Sequence, residues 1–342
     1  MSETDNEAAL AACEAKSEAD EAKIDSMSYA ELRQYHKTAT EKNRKEGKFS
    51  WRHICLFLID KQTGNESIIV SERRSKLARL FTIEEWREMG EDINEVDKLD
   101  VLELSNCGLT DEKLEALFGS FDTDNCDCPI TYLDLSNNPF GAAGIGAILP
   151  FLIERTSKPN IQLNSTNLGS EGMRLLSEVN IDTLALVSSQ IGGDIGLRHI
   201  LTSRNANMLT ALELTGIRFG RQGFETVSRF LERDDISLKE LYMDCNDGPG
   251  EYAKIIAKSL LANKTSKLEL ISLQSSSRRL DPLKGIYEYV QKIMCDTTSF
   301  ETICESNHHL HWKNPHSVMP VSDFLSLLGM NARREHGATI SK

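Results

Sequence analysis

The sequence predicts an α/β fold: a solenoid (horseshoe) of strand–helix units, with a parallel concave sheet, convex helices and an N-terminal cap segment. Three observations carry this expectation. An eleven-residue apolar pattern recurs along the chain, in its fullest form L-x-x-L-x-L-x-x-N/C-x-L at Leu99–Leu109, LDVLELSNCGL. Its central positions, Leu102, Leu133, Ile161, Leu184, Leu212, Leu241, Ile271 and Ile303, recur on average about every 29 residues, a period typical of stacked repeats. The stretches between copies, such as GIGAILPFLIER, GFETVSRFLERD and EYAKIIAKSLLANK, place apolar residues near helical spacing. A short strand uses only part of each repeat, so a helix must return the chain.

Residues 1–26 are acidic, rich in Ala and Ser and poor in large apolar residues, which predicts a disordered tail. Residues 27–96 do not match the repeat. There WRHICLFLI at 51–59 and SIIVSE at 67–72 flank the turn signal KQTGNE, so a hairpin is expected. FTIEEWREMGEDI at 81–93 reads as a helix, with Thr82 as N-cap and Glu84 and Glu85 in its first turn. The first repeat of a solenoid needs cover, so 27–96 reads as a cap. A small independent domain is the alternative.

Residues 97–314 hold the repeats. After the first copy come ITYLDLSNNPF at 130–140, IDTLALVSSQI at 181–191, LTALELTGIRF at 209–219 and LKELYMDCNDG at 238–248. Weaker copies use Ile161, Leu163 and Leu168, then Leu268, Ile271 and Leu273, and FETICESNHHL at 300–310 is degenerate. Residues 315–342 contain VSDFLSLLGM and a basic tail, read as the C-terminal cap. About seven or eight short parallel strands are expected.

These long repeats with full return helices resemble leucine-rich-repeat proteins of the ribonuclease-inhibitor-like subclass, over residues 97–314. The subclass includes inhibitors, GTPase activators, actin-capping proteins and immune sensors, so the resemblance leaves the function open. Glycines recur between strand and helix: Gly141 and Gly144, Gly169 and Gly172, Gly193 and Gly196, Gly220 and Gly223. A phosphate loop would not repeat four times, so G-x-x-G reads as a turn that permits close packing.

Acidic residues outnumber basic ones 52 to 39, for a formal charge of -13. That disfavours nucleic acid and anionic membranes as partners. No apolar run is long enough to cross a bilayer, and residues 1–23 lack the layout of a signal peptide. A cytoplasmic or nuclear protein with eight reduced cysteines is expected. No G-x-S-x-G, G-x-x-x-x-G-K-S/T or kinase motif set occurs, so neither an enzyme nor a cofactor is expected. Cys126 with Cys128, and His308, His309 and His311, fall short of a four-ligand zinc pattern, so no metal is expected. The basic run ERRSKLAR at 72–79 reads as a solvated helix face; a nuclear signal or anion site is the alternative.

The informative surface is the strand face. Residues between the apolar positions should line it: Asp100, Glu103, Tyr132, Asp134, Asp182, Glu213, Glu240, Tyr242, Asp244 and Glu269, with Glu301 and a single base, Lys239. This set suits a monomer that binds a protein with a basic surface. The alternatives are an acidic surface of no special role, a regulator of a small GTPase and a cytoskeletal capping protein.

Overall fold

The computed structural model describes residues 21–59, 65–94, 96, 98–120, 130–153, 158–246, 255, 256, 258–260, 262, 263, 266–272, 311–314 and 317–319. The chain divides into two compact units, Met1–Gln162 and Leu163–Lys342.

The first unit opens on the hairpin that the sequence predicts. Strand β1 (Leu56–Ile59) pairs antiparallel with β2 (Glu66–Ile69). From β2 the sheet runs on in parallel through β3 (Leu99–Glu103), β4 (Tyr132–Asp134) and β5 (Asn160–Gln162). Strand β2 of the segment before the repeats therefore extends their sheet by one parallel strand. Helix α1 (Tyr29–Lys45) starts at Ser28, and Glu31 closes a reciprocal capping box. After the short α2 (Ser75–Ala78), helix α3 (Ile83–Ile93) starts at the expected cap: Thr82 accepts from the Glu85 amide, and Glu85 reaches back. Each box satisfies two backbone donors that a helix start would otherwise strand. Trp51, Ile54, Phe81, Trp86 and Met89 are buried in this cap. Helices α4 (Asp111–Phe118) and α5 (Ala142–Ile153) return the chain after β3 and β4.

One expectation fails here. Residues 21–26 are helical, and Ile24 is 2% exposed, so the tail read over 1–26 does not extend through them. Composition undercounts such a segment, because one isoleucine and two carboxylates suffice when a basic surface receives them. Residues 1–20 lie outside the described residues.

The second unit repeats the scheme. Strands β6 (Thr183–Ala185), β7 (Ala211–Glu213), β8 (Glu240–Tyr242), β9 (Leu270–Ser272) and β10 (His311–Asn314) pair in parallel in that order. Strand β11 (Ser317–Met319) then turns back antiparallel on β10. Helix α6 (Gly169–Leu176) precedes β6, α7 (Gly193–Thr202) joins β6 to β7, and α8 (Arg221–Leu231) joins β7 to β8. An open parallel sheet alternating with helices is the leucine-rich-repeat architecture. The degenerate copy at 300–310 and the apolar stretch at 321–330 lie outside the described residues.

The repeat register fixes the core. Leu102, Leu133 and Ile161 stand opposite one another in the first unit, as do Leu184, Leu212, Leu241 and Ile271 in the second. All seven are at most 1% exposed, as are Leu104, Leu135, Leu186 and Leu214. Burying each such side chain contributes roughly 1.5–3 kcal/mol. The chain leaves most strands through one left-handed residue: Asn106, Asn137, Ser165, Ser188, Gly216 or Cys245, with φ from 54° to 70°. The next position holds the turn. Asn138 accepts from the Leu109 amide and donates to the carbonyls of Leu104, Leu135 and Ser136; Asn246 accepts from the Arg218 amide and donates to those of Leu214 and Met243. Cys107 and Ile217 occupy that position without an amide, and the residue after each, Gly108 or Arg218, is also left-handed.

The G-x-x-G turns pack against the preceding helix. Asp111 of α4 accepts from the amides of Gly141 and Gly144 at 2.8 and 2.7 Å, and Asp194 of α7 accepts from Gly220 at 3.1 Å. A Cβ at Gly144 or Gly223 would lie 2.8 or 2.7 Å from the respective carboxylate. These helix starts therefore hold a carboxylate of the chain itself, which supports the reading as a packing turn.

Candidate functional site

Side chains alternate along a strand, so the exposed face takes the residues immediately before and after each central apolar residue. In the first unit this gives two rows across the sheet. Val101, Tyr132 and Asn160 form one, and Glu103, Asp134 and Gln162 the other. Glu103 and Asp134 are thus neighbours on strands about 4.8 Å apart. Burial, and then the Asp134 charge, push the Glu103 carboxyl above its usual range. The same influences, burial first and then Asp134 and Glu103, push the Tyr132 phenol up to about 12. Asp134 also accepts from the Ser136 amide at 2.8 Å, which holds it at the strand end.

In the second unit the rows are Thr183, Ala211, Glu240 and Leu270, and Ala185, Glu213, Tyr242 and Ser272. The Tyr242 hydroxyl donates to Glu240 at 2.9 Å, and Ser272 donates to Asp244 at 2.7 Å. Burial pushes the Tyr242 phenol up to about 12, assisted by its bond to Glu240 and by the charges of Glu240, Glu213 and Asp244. Each unit therefore holds a half-buried tyrosine among carboxylates on its strand rows, while Ala185 and Ser272 of the second unit's rows are buried.

Three members of the expected set stand outside these two rows: Asp100, Asp182 and Glu269 lie two residues before the central apolar position, the last two just ahead of strands β6 and β9. Asp100 accepts from Asn65 at 3.3 Å and from Thr131, which ties the cap to two repeats. The Asp182 carbonyl accepts from the Thr210 amide at 2.8 Å, and Glu269 pairs with Lys239 at 3.4 Å. The rows also carry the neutral residues Val101, Asn160, Gln162, Thr183 and Leu270, which charge alone does not mark and period-two alternation in the sequence does. The face is mixed, with acids gathered around the tyrosines.

A second polar cluster lies in the cap. His36 bonds Glu85 through Nε2 at 2.8 Å and His53 through Nδ1 at 2.9 Å, while His53 Nδ1 meets the Ser50 carbonyl at 3.1 Å. Burial, then the neighbouring His36, lower His53 to about 4. Burial alone would raise Glu85, but bonds from His36 and Thr82 outweigh it and bring the carboxyl down to about 2. A groove of about 680 Å³ between α3 and α4 is lined by Ile83, Arg87, Glu91, Glu112, Glu115 and their neighbours.

Cys55 and Cys107 are buried free thiols, and Cys245 is an exposed one. Cys126, Cys128, His308 and His309 lie outside the described residues, and of His311 only the backbone is described. Among the described residues no group of three or more His, Cys, Asp or Glu is placed to hold a metal ion, and no helix is long and apolar enough to cross a membrane.

No family model matches the chain. The chain is similar to NLR family member X1 of Rattus norvegicus, with 48% identity over 46 residues. That stretch covers 14% of this chain and 5% of the rat protein.

Proposed function

We propose that the chain is a non-enzymatic protein-interaction module whose strand face binds a basic protein surface. The observation that carries this reading is the gathering of acids around the half-buried Tyr132 and Tyr242 on the strand rows. Tyrosine supplies contact area at low entropic cost, and carboxylates around it favour a cationic partner. Return helices of 8 to 12 residues support placement in the ribonuclease-inhibitor-like subclass. The free thiols of Cys55, Cys107 and Cys245 support a reducing compartment such as the cytoplasm.

The test starts from partners recovered on the intact chain and continues by surface plasmon resonance at two salt concentrations. Reversing Glu103, Asp134 and Glu213 to Lys should slow association, and added salt should weaken the wild type. Tyr242→Ala should speed dissociation, because the ring buries area against the partner. Binding indifferent to salt and to all four substitutions would move the site off the strand face.

A further inference from the structure

The contacts of the histidine pair in the cap fix how many protons it holds. His53 Nδ1 faces the Ser50 carbonyl at 3.1 Å, and a carbonyl only accepts, so that nitrogen carries a hydrogen. Asn43 Nδ2 donates to the same carbonyl at 3.3 Å. At the other end His36 Nε2 faces Glu85 Oε1 at 2.8 Å. The Glu85 carboxyl is ionised, its pKa brought down to about 2 against burial by the bonds from His36 and Thr82, so His36 Nε2 also carries a hydrogen. Between the rings, His36 Nδ1 and His53 Nε2 lie 2.9 Å apart, which admits one hydrogen and no more. Three hydrogens on four ring nitrogens make one imidazolium and one neutral imidazole. The charge belongs on His36, beside the carboxylate, because burial and then the neighbouring His36 oppose a proton on His53.

The pair sits where helix α1 is held. Of the seventeen residues of α1 only Leu32, His36 and Thr40 are buried, so apolar contact alone secures the helix poorly. Its ion pair to α3, Arg44 with Glu88, is partly exposed and screened by solvent. His36 is itself buried, packs on the Phe81 ring at a centroid distance of 5.0 Å, and joins α1 both to the turn at Ser50–His53 and to the first turn of α3. The charged groups that act on the pair are Glu85 from α3 and Arg74, whose charge also disfavours a proton on His53. Farther along α3 stand Glu88 and Asp92, the latter bonded by Trp51 Nε1 at 2.7 Å.

We propose that His36 and His53 form a two-sided pH latch, which holds α1 on α3 only while the pair carries one positive charge. When rising pH takes the proton into solvent, two hydrogens remain for three contacts, and one contact opens. The stability that this proton contributes is therefore present while it is bound and lost as pH rises past its release. When falling pH adds a second proton, both facing nitrogens become donors 2.9 Å apart and repel. On that side stability is lost as pH falls toward the His53 value of about 4. Attachment of α1 is thus greatest between the two limits. Its release uncovers the Phe81 ring on which His36 packs.

The proton count can be read in the wild-type, full-length chain by nitrogen–proton correlation NMR with isotope-labelled histidines. At neutral pH His36 should show both ring nitrogens protonated, and His53 only Nδ1. Two neutral rings, or two charged ones, overturn the proposal. The latch itself is read from amide exchange in α1, corrected for the intrinsic pH dependence of exchange. Protection should fall on the order of tenfold on either side of its maximum, the loss expected for one hydrogen bond to a charged group. E85Q separates the two sides. Its amide can keep the Thr82 box through the oxygen and donate an N–H to a neutral His36, so all three contacts survive without the charge. The alkaline loss should then vanish while the acid loss stays. Protection that is flat with pH in the wild type, or an alkaline loss undiminished in E85Q, overturns the proposal.

Discussion

Glu103 has lost part of its solvent to burial and stands one strand from Asp134, and both conditions disfavour its charge. Its folded-state pKa is raised, so its contribution to stability is complete below the ordinary carboxylate range and is lost as pH rises through the folded value. Glu103→Gln should therefore raise the melting temperature at neutral pH, and the gain should vanish in acid where Glu103 is already protonated. Thermal melts from acid to neutral pH check this, and an equal or lower melting temperature at neutral pH would show that Asp134 does not oppose Glu103. Residues of this kind were legible in the sequence as far as alternation was applied. Glu103 and Tyr132 each flank an apolar strand residue, and alternation places them on the strand rows. Asp100 stands outside the two rows, and its bonds to Asn65 and Thr131 come from other segments.

At the scale of the element, the turn after each strand rests on one position. Asn138 makes four hydrogen bonds with two repeats while 2% exposed. Asn138→Ala should strand at least one buried backbone group and cost about 1–3 kcal/mol, read from denaturant unfolding. Cys107→Ala should cost less, because Gly108 already bends that turn. The cap obeys a different control. His53 is held near 4, below its ordinary 6.5. As pH falls from 6.5 toward 4, the unfolded chain binds a proton that the folded cap refuses, and stability is lost in that window. Hydrogen exchange in α1 and α3 should accelerate across it, and His53→Gln should flatten the dependence. The hairpin and helix α3 could be read from turn residues and a capping pattern. The histidine cluster could not, because His36, His53 and Glu85 are brought together by tertiary packing.

For the whole molecule, the period of the apolar pattern determined the class of fold, because each repeat buries its leucines only by stacking on the next. What the period could not show is where the chain divides, which falls between Gln162 and Leu163, within the repeats. Nor did it show that residues 21–26 dock on the cap, since that depends on a few contacts at long sequence separation. Removal of residues 1–96 should expose the edge of β3, whose backbone now pairs with β2. The shortened chain should associate or precipitate at concentrations where the full chain sediments as one species. A monomeric and equally stable product would mean that β2 does not protect the edge.

Among the described residues, the hairpins β1–β2 and β10–β11 each reverse the strand direction of the sheet, a device that depends only on the strand beside it. Nothing in either contact specifies how many parallel strands lie inward. A lineage carrying this gene could gain or lose a whole internal repeat by unequal recombination and keep both ends as they are. Strand-face residues could then be multiplied or retired a repeat at a time, so the number of tyrosine–acid clusters can evolve separately from the rows already present.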